Sequence, residues 1–547
     1  MLGPLLAAAL VLLASYLYRL VWHKRFKQYA SIPQLPPSLV LGHLKTFDDF
    51  IKRGKADRHP DMIFSEMHDT IGRPPLMFVD LRPVNRPMVL VTSHEIAEQI
   101  SRASKLFPTS VPKASLNYLV HLIGPTSIIA AHGDTWKALR KRFNPGFAPQ
   151  HLMTLLPAIL SKTSGFVGHL DALARSGNDF AVAPLIINLT FDIIGAVVMD
   201  VDLQAQRKDN QGELIQLFGN LLKQYSDDKA DLPWWLQPRV ILERHRLGTR
   251  IDVILRAIVR RKYADYLEQK HGGHGASPPT LSSRSILYLS FQDITAPLTN
   301  DLVNETADQL KTFLLAGHDT TSVTLAWVFY ELSRTPRALR AVRAELDTIL
   351  GDDADPDAIR AQLLQPHGPD LIYRMSYISA VIKETMRLHP PAATARTSPF
   401  GSNLTVHTPD GVEHNLDGTI IYSCNTIIHR DAAVYGASVD EFRPERWLGG
   451  GASQIPASSW RPFERGPRNC IGQEFATIEA RVIIAAVARR YDFTKVGLGE
   501  MEMDKDNRPI LDETSDQFKV KSLLYTTRQV TVKPADSMRM KVKMAAA

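Results

Sequence analysis

Phe463-Glu-Arg-Gly-Pro-Arg-Asn-Cys470-Ile-Gly472 decides the reading of this chain. It sets one cysteine in a loop, with a glycine on either side and arginines beside it. The sequence has 547 residues and only two cysteines, Cys424 and Cys470, so Cys470 is not half of a disulfide framework. Nearby cations and exposed backbone N–H groups favour a thiolate, and a thiolate in such a loop can ligate iron. The plain alternative is a Gly/Pro-rich turn that happens to hold a cysteine. Cys424 lies in a β-like run, Ile420 to Cys424, and reads as a buried, inert thiol.

Hydrophobic residues at 44% and charged residues at 22% are those of an ordinary globular protein. The net charge of +7 is mild, and no dense Lys/Arg tract suits nucleic acid. Scarcity of cysteine argues for a reducing compartment. Apolar residues recur with the helical period over Leu155 to Ala174, Glu213 to Gln224, Val240 to Gln269, Asp301 to Ser333, Pro336 to Leu350, Met375 to Leu388 and Gln473 to Arg490. Short β-like runs lie at Leu76–Phe78, Met88–Thr92, Leu404–His407, Thr419–Ser423 and Val530–Val532. Strands do not alternate with helices, which predicts a mainly α chain with small β-sheets (α+β). Gln269 to Thr280, with its two histidines, reads as a solvated loop.

Leu2 to Tyr18 carries no charge, and Leu20, Val21 and Trp22 extend it past Arg19. A spanning helix needs roughly 17–25 such residues, so residues 1–22 predict a transmembrane signal-anchor. The basic residues that follow (Arg19, Lys24, Arg25, Lys27) predict a cytosolic body. A cleaved signal peptide is the rival, but a positive segment ahead of the apolar run is missing. A cytosolic body leaves the sequons at Asn188, Asn304 and Asn403 unused. Prolines 33, 36 and 37 forbid helix, so residues 23–45 read as a basic, proline-rich hinge.

Ala316-Gly-His-Asp319-Thr320-Thr321 interrupts the longest apolar helix with a glycine and two threonines, poor choices for a helix interior. A threonine hydroxyl can bond back to a carbonyl and bend the helix. Glu384 and Arg387 share a helix face at i,i+3. On their own such pairs are common surface features.

The cysteine loop matches, letter for letter, the Phe-x-x-Gly-x-Arg-x-Cys-x-Gly signature, and on it the chain resembles the cytochrome P-450 family of haem-thiolate monooxygenases. The resemblance runs from about Pro33 to the last strands. It implies a single large domain over 46–535, with haem between a long kinked helix and the cysteine loop, and a flexible tail over 536–547. Cys470 would be the axial ligand of haem b (iron protoporphyrin IX), with Phe463 and Gly466 among the haem-binding residues. Ala316 to Thr321 resembles the oxygen-activation motif: Thr320 would bond the bound dioxygen, Asp319 would relay protons, and Gly317 would let ligands approach the backbone. Glu384, Arg387 and Arg446 resemble a buried Glu–Arg–Arg brace. Trp136, Arg140, Arg396 and Arg468 match the residues that hold haem propionates.

Substrate contacts are expected from Phe313, Ala316, Ala393 and Ile128. Asp231-Leu-Pro-Trp234-Trp235-Leu would dip into the membrane at an entrance. Lys137, Lys141, Arg142 and Arg465 would form a positive docking face. The resemblance is greatest to filamentous-fungal microsomal members that oxidise polyketide or terpenoid intermediates. It implies NADPH electrons through a reductase, with cytochrome b5 as a further donor, O2 and a lipophilic small molecule as substrates, and the endoplasmic reticulum membrane. Fatty acids, sterols or xenobiotics are alternative substrates. A reductase-independent rearrangement of peroxides, or a dehydration, is the alternative chemistry, and a non-catalytic haem sensor a third reading. The intact Asp319–Thr320 pair counts against both.

Overall fold

The structure is a computed structural model that describes residues 2–207, 209, 211–225, 236–271, 284–292, 294 and 297–546. Residues 231–235, expected to touch a membrane, and most of the Gln269 to Thr280 loop lie outside the described residues. The chain forms two compact units, each assembled from separate segments.

The first unit comprises Met1–Ala114, Ala393–Val434 and Pro456–Asn469. Its centre is a four-stranded sheet in the order Leu76–Val79, Met88–Val91, Ile420–Ser423, Thr394–Thr397. The first pair and the last are antiparallel, while Met88–Val91 runs parallel to Ile420–Ser423. The first two strands are apolar at every position, because both faces are covered. With a period of two, Leu76, Phe78, Val89 and Val91 point into one cluster, with Ile96, Ile100 and Ile421. Met77, Val79, Met88 and Leu90 point into the other, with Ile63, Phe64 and Met67.

The helix α1 (Leu2–Phe26) opens this unit. It has the length and composition of a membrane span, and no part of its apolar window is buried. It runs past residue 22, so the basic cluster continues the helix instead of starting a hinge. The segment beyond is docked. Tyr29 and Ile32 belong to the sheet's core cluster. Arg25 is buried, paired to Asp80 at 2.7 Å, and donates to the carbonyls of Leu39, Val40 and Arg82. His43 is buried and accepts from the Asp80 N–H.

The second unit comprises Ser115–Ala392, Tyr435–Ile455 and Cys470–Ala547 and is mainly helical. The helix α2 (Asn300–Arg334) has 35 residues, about 52 Å at 1.5 Å each. The Thr299 hydroxyl caps its first turn by accepting from Leu302 N–H. Val182–Ile194 packs along it: a Cβ on Gly317 would sit 2.6 Å from Ile194 Cδ1, so this glycine makes room for a neighbouring helix. The Val182–Met199 stretch is also apolar enough to span a membrane, but it is mostly buried in this unit. Residues 536–547 depart from the expected flexible tail. Arg539–Met544 pairs antiparallel with Tyr491–Lys495 and with Phe180–Ala181, burying Met540 and Val542.

Candidate active site

The arginine side of the cysteine loop lies in the first unit. Gly466 has φ +76°, and a Cβ there would sit 2.1 Å from the Ser101 carbonyl oxygen, so only glycine fits. Phe463 is half-buried and packs edge-on against Trp460. Arg468 is buried. Arg461, 1% exposed, ties the loop to the helix His94–Ser101: it donates to Glu98 Oε2 (2.9 Å), Ser101 Oγ (2.6 Å) and Glu464 Oε1 (2.6 Å). Arg396 sits on the last strand of the sheet, also 1% exposed, and donates through Nη1 to Ser110 Oγ and the Val111 carbonyl. Its buried Nε has no protein partner.

Cys470 belongs to the second unit. Its thiol is exposed, unusual for so commonly buried a residue type. It lies three residues before α3 (Gln473–Val487), whose positive end favours a thiolate. Trp136 and Arg140 share a face of Gly133–Phe143. Burial lowers the pKa of the Arg140 guanidinium, and the negative charge of Cys470 opposes that change. Cys424, in contrast, is buried, and burial holds its pKa well above the ordinary thiol value.

From Thr306 to Leu332 the helix α2 is buried at every position except Ala316, Gly317 and Thr320. Spacings of three and four put these on one face, leaving a narrow open stripe in a buried helix. Thr320 Oγ1 donates back to the Ala316 carbonyl at 2.7 Å. The neighbouring Asp319 is fully buried. Lys533 Nζ pairs with its Oδ1 at 2.7 Å, and Thr531 Oγ1 donates to its Oδ2 at 2.6 Å. Burial alone would raise its pKa, but the Lys533 ammonium, His318 and the hydrogen bonds from Lys533 and Thr531 together outweigh burial, and the carboxyl stays below its ordinary value. Next to it, the His318 ring stacks on Phe191 at 3.6 Å, and burial pushes its pKa down to about 4.

The brace is assembled around Glu384 in the helix α4 (Ser376–Leu388) and the turn Pro444–Trp447. Oε1 accepts from Arg387 Nη2 (2.8 Å), Arg446 Nε (2.8 Å) and the Arg443 N–H (3.0 Å). Oε2 accepts from Arg387 Nε (2.9 Å) and Trp447 Nε1 (2.8 Å). Glu384 and Arg387 are fully buried.

Among the expected substrate contacts, Ala316 lies on the open stripe and Ala393 is half-buried. Ile128 is buried, with its N–H donated to Gln309 Oε1. Phe313 is a core residue, edge-on to Phe143 and Phe147. Two arginines of the expected docking face are engaged inside their own units. Arg142 turns inward to Glu305, Thr306 and the Ser290 carbonyl, and Arg465 Nε donates to Glu98.

Sequence reading missed Lys533 and Thr531, more than 200 residues from their partner, for which one sequence carries no signal. It also missed Glu479, a lone carboxyl on the buried face of α3. There the signal was available, as an acid between Ile478 and Ala480 on the apolar face of the helix. Neither Glu479 oxygen has a hydrogen bond of good geometry, and burial raises the pKa well above the ordinary value against the opposing influence of the Thr321 hydroxyl.

These residues fit a haem. An exposed thiol at a helix N-terminus suits iron, and Arg396 and Arg468 are buried cations, the first with an unpartnered Nε, suited to carboxylates. A cysteine thiolate is one of the ligands by which proteins hold haem iron, and the site fits the class of thiolate-ligated haem proteins. The chain belongs to the cytochrome P450 family, a family of monooxygenases whose model matches residues 33–520. It is 32% identical to "Cytochrome P450 monooxygenase acrF" of Aspergillus aculeatus over 81% of this chain and 89% of that one. It is 27% identical to "Cytochrome P450 monooxygenase polC" of Polytolypa hystricis, over 91% and 88%. The crystal structure of the cytochrome P450DA heme domain shares the fold, with a TM-score of 0.70 and 19% identity, covering 94% of this chain and 98% of that one.

Proposed function

We propose that this monooxygenase is anchored by α1 in the endoplasmic reticulum membrane and oxidises a lipophilic small molecule of fungal secondary metabolism, a polyketide or terpenoid intermediate. Electrons come from NADPH through a reductase. The observation that carries the reading is the open stripe Ala316–Gly317–Thr320 on a helix buried on either side, next to a buried, ionised Asp319. Haem held by the Cys470 thiolate supplies dioxygen activation and O–O cleavage. Everything else is done by side chains of the chain. Arg396, Arg468, Arg140 and Trp136 hold the haem carboxylates. The brace of Glu384, Arg387 and Arg446 keeps its own unit in register. Ala316 offers an apolar contact to substrate without filling the space above it.

Thr320 keeps its hydroxyl proton on the Ala316 carbonyl, which leaves the Oγ1 lone pairs free to accept a hydrogen bond from an O–H donor at the open stripe. Asp319 supplies protons to that position. Its carboxylate is paired with Lys533, whose side chain is 19% exposed and reaches solvent. A proton therefore enters on the Lys533 side and is handed on when the pair opens. The test is Thr320→Ala. It should consume NADPH and dioxygen without matching product, with the reduced, carbon-monoxide spectrum still that of a thiolate ligand. Tight coupling in that variant would remove the role given to Thr320, and a histidine-type spectrum in the parent would remove that of Cys470.

A further inference from the structure

Glu464, the second residue of the cysteine loop, has φ +57°. Left-handed backbone is unfavourable for an L-residue, and glycine would avoid the cost, as Gly466 does two positions later at φ +76°. A residue held so is fixed by its surroundings. Here the surroundings are cations. The side chain is 10% exposed; Oε1 pairs with Arg461 Nη2 at 2.6 Å and accepts from the Arg465 N–H at 3.2 Å, and Oε2 pairs with Arg396 Nη2 at 3.5 Å. Burial alone would raise its pKa, but Arg461, Arg396 and Lys113 hold it below the ordinary carboxylate value.

Arg461 is served by two carboxylates, of which Glu98 is shared with Arg465 and Arg102. Glu98 already pairs with Arg461 at 2.9 Å from the neighbouring helix. What Glu464 adds is its contact with Arg396. That contact is long, and it uses one guanidinium nitrogen while Nη1 is committed to Ser110 and Val111 and Nε has no protein partner. Arg396 is thus tethered but not saturated, and can serve a second carboxylate at the same time.

We propose that Glu464 is a positioning residue that holds Arg396 ready for a haem carboxylate and, by its own negative charge, lowers the reduction potential of the bound haem. This rests on the reading that Arg396 holds such a carboxylate. A fixed negative charge disfavours adding an electron to ferric haem, so removing it favours the ferrous form. The neutral variants Glu464→Gln and Glu464→Gly should each raise the midpoint potential, about tenfold in the one-electron reduction equilibrium, or about 59 mV. Glu464→Asp, which keeps the charge, should stay near the parent.

The measurement is spectroelectrochemical titration of the full-length holoprotein, with electrons supplied by the electrode. The glycine variant is native to the left-handed backbone and keeps the test alive if the glutamine variant does not fold. Unchanged potentials in folded, haem-loaded neutral variants would overturn the proposal, even if Glu464→Gly proved more thermostable. Arg396→Met separates the two readings: if its haem dissociates no faster than the parent's, the assignment of Arg396 to a haem carboxylate fails instead.

Discussion

Replacing Glu384 by glutamine removes one charge and changes almost no volume, which makes it the cleanest probe of the brace. The carboxylate accepts five hydrogen bonds, from Arg387, Arg446, the Arg443 N–H and Trp447. An amide has one oxygen, so its NH2 must face donors at the other position. Arg387 is fully buried and Arg446 nearly so, and both would lose their counter-charge. Breaking a buried pair by removing one partner costs about 3–5 kcal/mol. Five separate charged bonds would sum to more, but they share one carboxylate and are not additive. A loss of about 4 kcal/mol is some three powers of ten in the unfolding equilibrium. The assay is urea-induced loss of the haem Soret band and of far-ultraviolet dichroism, parent against variant. A Glu384→Leu/Arg387→Met/Arg446→Met variant should recover much of the loss, since apolar replacement of a whole buried ionic group is often neutral. A Glu384→Gln protein within about 1 kcal/mol of the parent would refute the reasoning, because buried guanidinium groups would then tolerate losing the carboxylate they share.

Lys533→Met should raise the pKa of Asp319, since burial is then opposed only by His318 and the Thr531 hydrogen bond. In the parent this depressed carboxyl stabilises the fold above its unfolded pKa, and that contribution is lost as pH falls through the folded value. The variant should have a lower Tm at neutral pH and a flatter acid limb; an unchanged Tm–pH curve would contradict the pairing. Glu479 is the opposite case. Its raised pKa keeps it protonated in the fold, so stability declines as pH rises from the ordinary carboxylate value towards the folded one. Glu479→Gln should abolish that decline, read as Tm against pH upward from the ordinary carboxylate range, where a tenfold difference in proton affinity between folded and unfolded chain is worth about 1.36 kcal/mol; a persistent slope would clear Glu479 of it. Gly466→Ala should give protein that retains little haem, because a Cβ meets the Ser101 carbonyl oxygen at 2.1 Å and φ is +76°; normal haem content would show that the loop can move aside.

Local residue grammar made much of the fold legible. The helices Glu213–Lys223, Pro336–Leu350 and Asn300–Arg334 follow their apolar period to within a residue or two. The strand pairs came less easily, since a four-residue run such as Met88–Val91 does not say that it will lie parallel to Ile420–Ser423, more than 300 residues on. The last strand was invisible for a similar reason. Arg539-Met-Lys-Val-Lys-Met alternates, but it is short and basic, and only pairing with Tyr491–Lys495 makes it a strand. In the site, spacing put Glu384 and Arg387 on one helix face, and the family resemblance added Arg446 to them. It could not give Lys533 to Asp319, nor show that Arg142 turns to Glu305, because long-range electrostatic partners leave no periodicity behind.

The docking of the segment after α1 has a practical side. Residues such as Tyr29 and Ile32 are part of the foundation under the central sheet. A soluble version cut at the prolines would uncover Phe78 and Val89 and leave Asp80 buried without the Arg25 guanidinium beside it. The place to shorten the chain is ahead of Arg25. The same arrangement acts as a stiff neck: with a helix that continues to Phe26 and is bolted down by Arg25 to the carbonyls of Leu39, Val40 and Arg82, α1 and the sheet cannot swivel freely about one another.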